Sequence, residues 1–242
     1  MNTLTGRLLA CSLLLTLASG CAHETYGDPR APVAGRVLGA VIHTQDAEEL
    51  RHVVLQQLTN RYADDKGIAV TQAEKQAYVR RVREALDEDR RRQVARRDEL
   101  ARKLAAEGLS ETERTKTSAE LASVNTFLAA LGETGSGATE DPQAAQAREQ
   151  VAASFIRKWK INRALYQQYG GRIIFQQGGP EPLDAYRVFL EEGLARGDFE
   201  ILNQDLEAPF WRYYRTDSLH SFYRPGSREE AEAFAVPIWQ SP

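Results

Sequence analysis

Apolar residues recur along most of this chain at three- and four-residue spacing, the signature of helices with one buried face. Val37 to Ile42 is an exception, a short apolar run of strand length. Thr44 then caps a helix whose first turn carries Asp46, Glu48 and Glu49, where the helix dipole favours negative charge. Leu50, Val54, Leu58 and Tyr62 give that helix an apolar face, and Lys66-Gly67 ends it. Thr71 and Glu74 form a capping box for a second helix reaching about Ala106. Its stripe, Tyr78, Val82 and Leu86, breaks at Asp89 and Arg90 and resumes loosely at Val94, Leu100 and Leu104.

Gly108 and a second capping box, Ser110 with Glu113, open a third helix carrying Leu121, Val124, Leu128 and Leu131. The segment from Gly132 to Pro142 reads as a linker between antiparallel helices. A fourth helix spans about Gln143 to Tyr169, with Val151, Phe155, Trp159 and Tyr166 on one face, and Gly170-Gly171 stops it. Arg172 to Phe175 is a second strand candidate, and Pro182 starts a fifth helix with Leu183, Tyr186, Phe189, Leu190 and Leu194. From Phe199 the chain is aromatic and irregular, with short helices near 209–214 and 228–234. The fold class is therefore mainly α, a helical domain with a small two-stranded β element made by pairing 37–42 with 172–175.

The N-terminus changes this picture. Arg7 precedes an apolar run from Leu8 to Leu17, about half the roughly 20 residues that span a bilayer. Leu17-Ala18-Ser19-Gly20-Cys21 follows, and it resembles the lipobox of bacterial lipoproteins. That resemblance implies removal of residues 1–20, lipidation of Cys21 and a polar tether over 21–35. Ala22 stands where an aspartate often retains such proteins in the inner membrane, so the implied location is the outer membrane, facing the periplasm. The chain has 2 Cys; Cys11 leaves with the signal and Cys21 becomes a thioether, so packing alone must stabilise the domain.

Within 37–79, Leu38-Gly39, Ile42, the helix from Leu50 to Tyr62, and Lys66-Gly67-Ile68-Ala69-Val70-Thr71 with Glu74 resemble the N-terminal domain of SurA- and PrsA-type periplasmic foldases. The departure is Leu38-Gly39 where that family usually has Asn-Gly. The resemblance implies a SurA N-terminal-like helical domain over 36–178, including the linker at 132–142, with 179–242 packing on it. It also implies binding of unfolded or extended envelope polypeptides. No parvulin domain follows, so isomerase chemistry is not implied.

Composition narrows the chemistry further. Losing Arg7 leaves 30 basic against 34 acidic residues, a balance that argues against nucleic acid as a partner. Arg80 to Lys103 is locally basic, with ten basic and six acidic residues. It reads either as an attractor of anionic lipid or acidic segments, or as a solvated helix laced with pairs such as Arg80–Glu84 and Asp98–Arg102. Phe210, Trp211, Tyr213, Tyr214, Phe222 and Tyr223 are candidate client- or partner-binding residues, unless they fold back onto the core. The 4 His (His23, His43, His52 and His220) form no metal-ligand spacing, and no nucleophile, base or acid grouping stands out. No cofactor, metal or catalytic residue is assigned. The readings left are a lipid-anchored holdase, an adaptor lipoprotein docking to an envelope complex and, with least support, an isomerase or hydrolase.

Overall fold

The computed structural model describes residues 24–135, 141–176 and 178–240. Cys21 with the rest of the lipobox, and residues 136–140 of the expected linker, lie outside them. The protein is mainly helical, with a small sheet.

The apolar run at 37–42 is two strands rather than one. Val33–Val37 (β2) turns back at Leu38-Gly39 into the antiparallel Ala40–His43 (β3). Leu38 and Gly39 have φ of 51° and 87°, as a two-residue hairpin turn requires if its twist is to match its strands. Gly39 adopts this freely, whereas Leu38 does so against its Cβ.

Part of the segment expected as a tether is also ordered, because Thr25–Gly27 (β1) lies parallel to β3. The approach is close enough that a Cβ on Gly27 would stand 2.0 Å from the His43 carbonyl oxygen, so only glycine fits.

The expected pairing of 37–42 with 172–175 does not occur. Ile174–Gln176 (β4) pairs with Gly179–Glu181 (β5), its neighbour across a short turn. Phe199–Ile201 (β6) takes the free side of β2, giving the order β1-β3-β2-β6. β4 thus closes a hairpin with its neighbour at little cost in chain entropy, while the long-range partner of β2 is β6, which follows α5.

One face of this sheet packs on Ala47–Asp65 (α1), Leu183–Ala195 (α5) and Glu207–Arg215 (α6). Leu50, Val54, Leu58 and Tyr62 of α1 are buried, as their spacing predicts, against Leu183, Tyr186, Phe189 and Leu190 of α5. The N-cap of α1 is Asp46, which accepts from the Glu48 amide, and not Thr44. Thr44 instead accepts from the Asp46 amide and donates to Glu49, bracing the cap from outside the helix.

Pro142–Tyr169 (α4) serves two cores. Ile161 and Leu165 enter the main one, while Ala152 and Ile156 meet Trp239 of the 3-10 turn Ile238–Gln240 in a smaller one. The expected face is therefore displaced, and Val151 and Phe155 point outward. The last helix, the short Arg228–Glu232 (α7), precedes Phe234, which packs on Trp159 and Tyr166 of α4.

Gln72–Ala105 (α2) has 34 residues, a rod of about 51 Å at 1.5 Å per residue. Glu111–Gly135 (α3) returns along it, taking in the first residues of the expected 132–142 linker. The two helices form an arm joined to the body where α2 crosses α4. Leu100 is the one buried side chain of α2, facing the part of α3 that buries Thr117 and Val124.

Candidate binding surface

The aromatic cluster proposed from sequence divides sharply. Phe210, Trp211 and Tyr214 are buried, with Phe210 against Phe199 and edge-on to Trp211, so they are core residues and not a client-binding surface. Tyr213 and Phe222 are half-buried against the same core, and Tyr223 meets the exposed Phe175 edge-on. α6 has apolar residues at every point that faces α1 and the sheet, so a run that looks like a sticky patch in sequence becomes an inward ridge.

Polar groups around this core are mostly tied to one another. Tyr186 donates to Asn162, whose amide donates to the Pro180 carbonyl at 3.0 Å. Burial holds the Tyr186 and Tyr214 phenols far above their usual range, so both stay neutral. Burial, with Glu181 close by, pushes Tyr213 up to about 12, and the Arg51 guanidinium lies 4.1 Å from its ring centre.

Arg172 bonds Asp184 through Nε at 2.9 Å and Asp217 through Nη1 at 2.7 Å. The Arg172 guanidinium holds the Asp184 carboxyl below its ordinary range. These groups fix a conformation, and none is poised to exchange a proton near neutrality. His43 is held by the Ala31 carbonyl and His220 by the Tyr213 carbonyl. Among the described residues no group of His, Cys, Asp or Glu could hold a metal ion, and no helix is long and apolar enough to cross a membrane.

The surface that stands out is at the root of the arm. Tyr78, Val82 and Leu86 of α2 continue the stripe read from sequence, yet Val82 is 41% and Leu86 48% exposed. Residues 82–88, about two full turns, are all exposed. Tyr78 stacks on Phe155 of α4 at 5.9 Å, and Phe155 and Val151 are 40% and 54% exposed. Tyr78, Arg81, Val82, Ala85, Leu86 and Asp89 line a cleft of about 210 Å³. That is smaller than the roughly 300–1,000 Å³ of small-molecule pockets and suits a single large side chain.

A second hollow of about 410 Å³ lies between residues 67–69, α4 and the C-terminal turn. Its Lys160 is already held by Glu74 at 2.7 Å and by the Ala69 carbonyl.

The charge around the arm differs in detail from the expected lacing. Arg92 pairs with Asp89 and Glu88, Arg96 with Glu99 and with Glu120 of α3, and Arg97 with Asp98. Arg80, Arg81, Arg90 and Arg91 have no carboxylate partner among the described residues. Arg81 is half-buried in the wall of the cleft, and sequence reading passed over it because its neighbours looked equally basic. The available signal was its position beside the Tyr78–Val82–Leu86 stripe.

Compared with known proteins, the chain matches no family model, no curated protein and no solved structure.

Proposed function

We propose that this protein is a lipid-anchored envelope holdase, attached at Cys21 to the outer membrane facing the periplasm, that binds apolar segments of unfolded envelope polypeptides without isomerase chemistry. The observation that carries the reading is the exposed apolar face of Val82, Leu86, Phe155 and Val151, which spans two helices joined by the half-buried Tyr78 stacked on Phe155. Apolar faces of this kind mark interaction sites when polar residues rim them. The likeness of 37–79 to the SurA-type N-terminal domain supports the same reading. Within it, Gly67 is left-handed (φ 64°) and the Thr71–Glu74 capping box is closed on both sides.

The adaptor alternative rested on an exposed aromatic C-terminal segment, and the burial of Phe210, Trp211 and Tyr214 withdraws that support. A purified mature protein mixed with an unfolded outer-membrane protein is expected to slow its aggregation, read by light scattering, at stoichiometric ratios. An unchanged aggregation rate at tenfold excess would end the holdase reading.

A further inference from the structure

We infer that the segment taken up at the arm root is an amphipathic helix with an acidic edge, its apolar side lying along α2 and its carboxylates meeting Arg81 and Arg90. This deepens the holdase reading and rests on it. Three observations carry it.

The first is spacing. The apolar positions are the half-buried Tyr78 and the exposed Val82 and Leu86 on one helix, with the exposed Val151 and Phe155 one turn apart on another. Ridges at this spacing accept another helix, and an incoming strand would find no free backbone edge among them. The second is incomplete packing. α4 covers α2 at Tyr78, and α3 covers it at Leu100, but along 82–88 neither helix buries it. A third helix laid there would meet the same kind of ridge that α3 meets further out.

The third is charge. At 3.6 residues per turn, Arg81 and Arg90 fall on opposite sides of Val82, about 100° and about 80° around the helix. Both are half-buried and neither has a carboxylate partner among the described residues. Asp89, the acidic group in the cleft wall, is already bound by Arg92. Arg92 is shared between Asp89 and Glu88, and the guanidinium groups of Arg81 and Arg90 stand at the edges of the apolar stripe without a carboxylate among the described residues. A half-buried guanidinium lacking a partner favours an incoming carboxylate and repels an incoming ammonium, which yields selection as well as affinity.

The test uses the mature lipoprotein in nanodiscs of zwitterionic phosphatidylcholine and fluorescence anisotropy of three labelled 20-residue peptides. One has an apolar helical stripe edged by Glu, the second the same stripe edged by Lys, and the third the Glu composition with two central prolines that forbid a helix. The Glu-edged helix is expected to bind at least tenfold more tightly than either of the others. That margin should shrink with added salt, and Arg81→Glu should move the preference toward the Lys-edged peptide while the thermal midpoint stays unchanged.

Equal binding of the Glu- and Lys-edged helices would overturn the charge inference and leave the holdase reading standing. Equal binding of the proline peptide would overturn the helical one. Retained aggregation suppression with no peptide bound would move the site elsewhere on the molecule. Loss of the bound peptide to vesicles containing anionic lipid, on the Arg81-dependent surface, would replace the helix with a bilayer.

Discussion

The body and the arm of this protein use similar sequence patterns to opposite ends. In the body, the i, i+4 stripe of α1 is fully used, with Leu50, Val54 and Leu58 sealed against α5 and the sheet. In the arm, the stripe of α2 has the same spacing, and yet Val82 and Leu86 stand in solvent. The body's helices are held by burial, at about 25 cal/mol per Å² of apolar surface. α2 buries only Leu100 fully, and its packing on α3 and α4 is supplemented by local terms: a closed capping box at Thr71 and Glu74, i,i+3 pairs such as Arg96 with Glu99, and strong helix formers. An apolar stripe thus reports that a helix has a face for something, and the remaining structure decides whether that something is its own core.

Three substitutions sharpen the contrast. The largest effect is expected from Phe210→Ala, which opens a cavity in the body and costs about 3–5 kcal/mol, read as a fall in denaturant midpoint. A small change there would mean that α6 is peripheral.

An intermediate effect is expected from Asp184→Asn. Asp184 is 15% and Arg172 38% exposed, so solvent screens the pair and the loss at neutral pH is about 1–2 kcal/mol. Because Arg172 lowers the Asp184 pKa on folding, this stability is present above the unfolded value and is lost as pH falls through the folded one. The unsubstituted protein should therefore lose thermal stability below about pH 4, and Asp184→Asn should flatten that acid limb. An identical acid limb in both would remove the pair from the account.

The smallest stability effect is expected from Leu86→Ser on the arm, within about 0.5 kcal/mol, as for surface positions generally. Its aggregation-suppressing activity should nonetheless fall several-fold. A large loss of stability instead would show that Leu86 is packed, and the contrast between arm and body would fail.

Much of the helical scaffold was legible because its determinants are local. The Thr71–Glu74 and Ser110–Glu113 boxes, the stop at Gly170 and the α1 face all depend on residues within a turn of one another. Strand partners were not legible, since whether β2 meets β4 or β6 turns on closures far apart in sequence. β6 has only 3 residues, too few to show alternation.

The site was half legible. Tyr78, Val82, Leu86, Val151 and Phe155 were all recognised as apolar faces, but one sequence cannot say which faces lack a cover. The aromatic cluster failed for the converse reason, because density of aromatic residues says nothing about direction. Arg81 was hidden among like charges until the absence of a partner set it apart.

β1 has a consequence for where the molecule works. Its first residue, Thr25, lies four positions beyond Cys21, and the sheet begins there. Under the proposed attachment, four extended residues give a leash of at most about 14 Å, so the body rests against the bilayer and does not roam from it. Beyond Tyr78, where α4 packs on it, α2 by contrast continues as a rod of about 40 Å. So anchored, the proposed holdase would be a fixture with one outstretched limb, its catchment set by the length of that limb and not by diffusion of the whole.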